Sequence, residues 1–259
     1  MRIRITLSPH HYPAAVPLNH FPLAAFIYET VASVAPELAS YLHDEGLSPG
    51  GQEDKRFKFF VFSLPELPPY YFQGEQRWFE QGVMRWQISS PLPEFIEALV
   101  TGLGAQDRVR IGSTQFTVAG IEIMPAPRFT ERMRFIALSP LTVATTTQAA
   151  DGRRIKHYLR ANEEEFGPLV VANLLEKYRA LFGREPDHSC LSFSFDQDYI
   201  QRAGGVESKK VSRLIQYKGT RIKCYQVPFI VVGNPELIHL GWECGFGSAN
   251  SQGFGMAGV

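Results

Sequence analysis

The sequence is poor in cysteine, carries no net charge and has no long apolar run, and each shortage removes a class of protein. Its three cysteines, Cys190, Cys224 and Cys244, lie far apart with no CxxC or mixed Cys/His spacing, which argues against a disulfide framework and a zinc site. A reducing cytoplasm is the expected compartment. Twenty-six basic residues balance 26 acidic ones, so a polyanionic partner would have to be held by a local patch. No stretch reaches the roughly 18 consecutive apolar residues of a membrane span, and the opening MRIRITLS lacks the basic segment and apolar run of an export signal. The expectation is a soluble, unexported protein with no membrane partner. There is no GxxxxGK[ST] phosphate loop, no concentrated set of carboxylates and no cofactor signature, so no cofactor and no metal are expected.

What is present is a globular composition, 44% apolar over 259 residues, with a periodicity that changes in a repeated order. Residues 2–8 alternate apolar and polar as a strand does, and Leu23, Phe26, Ile27, Val31 and Val34 recur at helical spacing. Pro36 suits the first turn of a second short helix, through Leu38 and Leu42, that Gly46 closes. FKFFVFSL (57–64) and VMRWQISS (83–90) read as strands, PEFIEALVTGLG as a helix, and RVRIGSTQFTVAGIEIM as a strand pair around Gly112. The pattern restarts after the proline-punctuated MPAPRFTER. A strand at 133–138, a helix over about 165–182, SCLSFSF, two extended segments around Gly219 and a helix capped by Asn234 with Pro235 and Glu236 follow, with MAGV as a last strand. Two split βαβ units in tandem account for the chain. The expected class is α+β: two ferredoxin-like (RRM-like) domains, each an antiparallel sheet with helices on one face, spanning 1–126 and 127–259.

The last fifteen residues, GFGSANSQGFGMAGV, contain five glycines and two phenylalanines. Gly253 to Gly258 formally match GxGxxG, but a dinucleotide fingerprint needs a preceding strand, a following helix and an acidic residue about 20 positions on. One residue remains after the match. What survives is glycine's freedom to take positive φ and to let a ligand approach bare N–H groups, which suits phosphates; a flexible tail is the competing reading. Between Arg202 and Lys223 seven basic residues face one acid, Glu207. Lys209, Lys210, Arg213, Lys218, Arg221 and Lys223, interleaved with Tyr217 and Tyr225, offer phosphate contacts and stacking surfaces, or else form a solvated hairpin.

Gly245-Phe246-Gly247, five residues, then Gly253-Phe254-Gly255 resembles the glycine-rich motif of the CRISPR repeat-RNA-processing endoribonucleases, the sixth Cas protein family of the RAMP superfamily. SYLHDEG (40–46), FKFFVFS, IALSPLTV, HYL, NLLEKY and NPELIHLGWECGFGSANSQGFG are similar to segments of that family in the same order. The resemblance implies tandem ferredoxin-like domains, binding of a CRISPR repeat and one metal-independent cut. It implies RNA contacts from the loop, Gly245, Phe246, Gly247, Ser248, Asn250, Ser251, Gln252, Gly253, Phe254 and Gly255, together with the basic hairpin. It also brings two further partners as expectations, a multisubunit interference complex and a second copy in a homodimer.

RNA carries its own nucleophile, the 2'-OH, so cleavage needs a base for that proton, an acid for the 5'-oxygen and donors for the charge developing on phosphate. Histidine, which ordinarily titrates near pH 6.5, suits either proton role. Among seven histidines, His43 stands out by its place in the last turn of a helix beside a polar turn; the other six read as structural or solvated. On residues alone Tyr28 reads as a packing residue of the first helix. The tyrosine, histidine and lysine pattern of the family supports Tyr28, His43 and Lys55 as the catalytic set, with Arg56 and Lys58 as alternatives for the cation. The expected products are a 2',3'-cyclic phosphate and a 5'-OH. The rival expectation is a noncatalytic subunit that retains processed guide RNA.

Overall fold

The computed structural model describes residues 1–49, 56–148, 152 and 154–259. β1 (Arg2–Pro9) buries Ile3, Ile5 and Leu7, the apolar half of the alternation. β2 (Ala14–Pro17) leads to α1 (Phe21–Ala32), whose Leu23, Ile27 and Val31 are buried one helical turn apart. α2 (Pro36–Ser40) opens on its proline and runs directly into a single π turn, Tyr41–Glu45, closed by the Gly46 amide donating to the Tyr41 carbonyl at 2.7 Å. β3 (Val61–Phe62), β4 (Tyr70–Gln73), β5 (Gln76–Phe79), β6 (Met84–Ser89), α3 (Pro93–Gly104), β7 (Val109–Ile111) and β8 (Thr114–Met124) complete the first half.

Its main sheet has the order β3-β6-β1-β8-β7, antiparallel throughout. Counting β1, β3, β6 and β8 as strands one to four gives 2-3-1-4, the pairing order of two interlocked split βαβ units. Two sequence expectations need correcting. FKFFVFSL is extended but only Val61–Phe62 joins the sheet, because Phe59 takes a φ of 50° and Phe57 bridges Leu47 instead. A second, three-stranded sheet, β2-β5-β4, was also not foreseen: its strands are four residues each, too short for a periodic signal.

The second half repeats the plan with β9 (Arg132–Ala137), the hairpin β10 (Ala144–Gln148) and β11 (Arg154–Tyr158), α4 (Phe166–Phe182), β12 (Leu191–Phe195), α5 (Gln197–Arg202), β13 (Ser212–Tyr217), β14 (Thr220–Tyr225), β15 (Phe229–Gly233), α6 (Pro235–Cys244) and β16 (Ala257–Gly258). The order β12-β15-β9-β16 is again 2-3-1-4. The stretch expected as two extended segments around Gly219 holds three strands: β13 and β14 pair with each other, and past Pro228 the chain enters the main sheet as β15. The Asn234 side chain caps α6 by accepting from the Glu236 amide at 2.8 Å.

The halves are joined by direct bonds. The guanidinium of Arg2, stacked 3.8 Å over Trp242, donates to the carbonyls of Ala257 (2.8 Å) and Trp242 (2.6 Å), and the Leu64 amide donates to Leu138 (2.9 Å). Ile3, Phe60 and Phe62 of the first half and Phe135, Phe229 and Phe246 of the second belong to one continuous buried core. The tandem ferredoxin-like units are therefore packed together, and the C-terminal loop lies against both.

Candidate active site

The π turn sets the position of His43. With one extra residue in the turn, the chain end of the helix is held by two cations: Lys58 Nζ donates to the His43 carbonyl and Arg56 donates to the Asp44 carbonyl at 2.7 Å. The antiparallel bridge between Leu47 and Phe57 brings these cations alongside. The imidazole is exposed, and its Nδ1 lies 2.7 Å from Asp44 Oδ1. When that nitrogen donates to the carboxylate, Nε2 of the neutral ring is left as acceptor.

Tyr28 of α1 meets this histidine edge on, with ring centroids 5.3 Å apart and planes at 83°, and meets Phe60 the same way at 5.3 Å. The turn that carries Ser251, from the other half of the molecule, packs against α1 and sets Ser251 beside this phenol. Burial pushes the phenol well above its ordinary value, with Ser251 acting in the opposite sense; at neutral pH Tyr28 keeps its proton and can serve as a donor. Tyr28 and His43 are thus brought together. Lys55 lies outside the described residues. Burial lowers the Lys58 ammonium from its usual value, opposed by Asp44.

The glycine-rich loop differs from the bare backbone that composition implied. Phe246 and Phe254 are buried, as are the four motif glycines Gly245, Gly247, Gly253 and Gly255. The motif's amides are partly spent inside: Phe246 donates to Gly255, Gly253 to Asn250 and Gly255 to Pro140, at 2.9–3.0 Å. These six residues therefore shape the loop, and its accessible part is Ser248 to Gln252. Gly255 has a φ of 82°, and a Cβ there would stand 2.0 Å from the Phe246 carbonyl oxygen. A Cβ on Gly253 would stand 2.5 Å from the Phe62 ring of the first half. Glycine is needed for close approach, not for exposure.

Two side chains that the sequence did not single out hold this loop. His20, buried at 1% exposure, donates from Nδ1 to the Gln252 carbonyl at 3.1 Å and packs 5.1 Å from the Phe254 ring. Burial takes its imidazole down to about 4, against the Gln252 bond and with a smaller push from Arg77 and Arg213. Lys177 of α4, 3% exposed, donates to the carbonyls of Gly245 (2.8 Å) and Gly247 (3.2 Å) and to Asn250 Oδ1 (2.6 Å). The available signal was its place on an otherwise apolar stripe with Val170, Leu174 and Tyr178.

A cavity of about 460 Å³ opens between the halves, walled by Arg56 to Phe60, by Ser248 to Gln252, by Lys156 and Tyr158 of β11 and by Asn173 and Lys177 of α4. Four of its side chains are cationic. The basic hairpin adjoins it: Ile222 and Cys224 of β14 pack on Phe254 with Ile215, Tyr217 and Ala249, and Lys218 reaches over Phe21 at 4.8 Å. Lys209, Lys210, Arg213, Lys218 and Arg221 are exposed, whereas Lys223 pairs with Glu207 at 2.6 Å. None of these six lines the cavity among the described residues. Tyr225 is fully buried and Tyr217 packs edge on against Phe21 at 5.9 Å, so Tyr225 is corrected from stacking surface to core. No group of three or more metal-ligating side chains occurs among the described residues, and no described helix is long and apolar enough to cross a membrane.

Comparison with known proteins gives concordant results. Residues 15–122 match the family model described as CRISPR-associated protein Cas6, N-terminal, and residues 124–259 the one described as CRISPR associated protein Cas6, C-terminal. The chain is 32% identical to the CRISPR-associated endoribonuclease Cas6 1 of Methanocaldococcus jannaschii, over 99% of this chain and 91% of the relative. It is 30% identical to the CRISPR-associated endoribonuclease Cas6 of Pyrococcus furiosus, over 100% and 90%. A solved structure described as CRISPR associated protein Cas6 superposes with a TM-score of 0.75 at 31% identity, covering 100% of this chain and 98% of that one.

Proposed function

The chain belongs to the Cas6 family, and from that premise we propose that it is the endoribonuclease that cuts CRISPR repeat RNA, with a mechanism that needs no metal. The observation that carries the mechanism is the meeting of an exposed histidine, a protonated half-buried tyrosine and a loop from the other half within one site. RNA's 2'-oxygen attacks the adjacent phosphorus, forming the O2'–P bond as the P–O5' bond breaks. His43 takes the proton of the 2'-OH while water protonates the departing 5'-oxygen, or it delivers the proton to that oxygen while water takes the first. Tyr28 donates a hydrogen bond to the phosphate, and Arg56 and Lys58 at the cavity edge offset the charge that develops there. The products are a 2',3'-cyclic phosphate and a 5'-OH. The RNA strand follows the cationic cavity wall, and the exposed arginines and lysines of the β13–β14 hairpin and the turn before it hold its phosphates.

The reading includes a multisubunit interference complex and a second copy of the chain as further partners, which co-purification and sedimentation of the native protein address. The three free cysteines, two of them buried, suit work in a reducing cytoplasm. The decisive experiment incubates a labelled repeat transcript with the parent and His43→Ala in excess EDTA. The parent is expected to cut and the variant to be slowed by at least about 100-fold. Undiminished cutting by His43→Ala removes His43 from the chemistry, EDTA-sensitive cutting by the parent removes the metal-free scheme, and a gel shift without cutting by the parent favours the RNA-retaining subunit.

A further inference from the structure

We infer that Lys177 is a positioning residue for RNA cleavage: its buried side chain clamps the glycine-rich loop through Asn250 and so sets the contact between Ser251 and Tyr28 beside His43. The inference rests on the assignment of Tyr28 and His43 to the reaction and extends it to a residue on another element, 73 positions from Asn250 in the chain.

An ammonium has three hydrogens to donate, and in Lys177 all three are accounted for by the Gly245 and Gly247 carbonyls and Asn250 Oδ1. Every partner lies in the loop. Burying such a charge is expensive unless it is fully hydrogen-bonded, so the set of three oxygens is held as tightly as the charge is. Asn250 passes the restraint on: its Nδ2 donates to the Phe246 carbonyl at 3.2 Å and the Phe254 carbonyl at 2.9 Å. One amide therefore ties the outgoing and returning limbs of the loop together, with the lysine anchoring its oxygen to α4. The next residue, Ser251, lies on the turn that packs against α1, beside Tyr28. Tyr28 in turn packs against the His43 ring. A leucine at position 177 would suit the apolar stripe of α4 better, with Leu174 and Tyr178 as neighbours, but it would leave three loop oxygens, that of the Asn250 amide among them, without their donor.

The test measures single-turnover cleavage of a repeat transcript at saturating protein, on the folded full-length chain, for the parent, Lys177→Met, Ser251→Ala and the double variant. Lys177→Met is expected to slow the bound-state rate about 100-fold, the order of loss that an ångström of misplacement causes. Ser251→Ala slows the parent but changes the Lys177→Met protein by less than about twofold, because the contact is already lost. Should Lys177→Met fail to fold, Asn250→Ala carries the same cycle with Ser251→Ala, since it leaves the ammonium its two carbonyls. Independent, multiplicative effects overturn the inference, as does a Lys177→Met protein that melts lower yet cuts bound RNA at the parent rate, or a Ser251→Ala protein that cuts like the parent. His43→Ala in parallel separates the two levels: its full activity would sink the proposed chemistry, whereas the coupling of 177 to 251 is read from the cycle alone.

Discussion

Acidification tests the role of His20 as the pin between the halves. In the unfolded chain its imidazole takes up a proton as the pH falls below about 6.5. In the folded protein, enclosed by Phe62, Phe254 and the Gln252 carbonyl, it stays neutral until about 4. Between those values the unfolded state binds the extra proton, so stability contributed by this site is intact above pH 6.5 and is lost as the pH falls toward 4. At about 1.4 kcal/mol per pH unit, the loss is about 2 kcal/mol by pH 5 and about 3 kcal/mol by pH 4. Other groups titrate in the same range, so the informative quantity is the difference between the parent and His20→Gln, which keeps a donor near the Gln252 carbonyl but does not titrate. Urea unfolding at pH 7, 6 and 5 should show the variant less stable than the parent at pH 7 and closing the gap by about 2 kcal/mol at pH 5. Parallel pH dependences of the two proteins over that interval would refute the assignment of His20 as a buried neutral donor.

The glycine and tyrosine readings are open to simpler tests. Gly255→Ala places a Cβ 2.0 Å from the Phe246 oxygen at a φ of 82°; it should cost at least about 1–3 kcal/mol and abolish repeat binding, measured by thermal melting and gel shift. Gly120→Ala, whose Cβ meets nothing within 4 Å, should match the parent in both. Tyr28→Phe keeps the edge-on packing against His43 and Phe60 but removes the hydroxyl beside Ser251; single-turnover cleavage should fall about 10- to 100-fold with repeat affinity changed less than about threefold. A variant that cuts at the parent rate would leave Tyr28 as a packing residue only.

Much of the architecture was legible in the sequence because it is decided by neighbours along the chain. The alternation of Ile3, Ile5 and Leu7, the turn at Gly112, the Asn234-Pro235-Glu236 cap and the helix end at Gly46 each follow from local periodicity and capping. His43 was legible for the same reason, as a polar residue at a helix end. The short three-stranded sheet was not, since β2, β4 and β5 owe their pairing to each other rather than to their own patterns.

Sequence by itself therefore determined two ferredoxin-like units, a family, and the place of His43 at a helix end. Tertiary structure alone decided that the motif's glycines and phenylalanines are buried packing, that the turn carrying Ser251 packs against the helix of Tyr28, and that His20 from one half and Lys177 from the other hold the loop. The physical reason is range. A lysine or histidine is indistinguishable from a solvated one in its own segment, and only the distant oxygens brought to it by folding, those of Gln252 for His20 and of Gly245, Gly247 and Asn250 for Lys177, turn a buried polar group from a cost into a clamp.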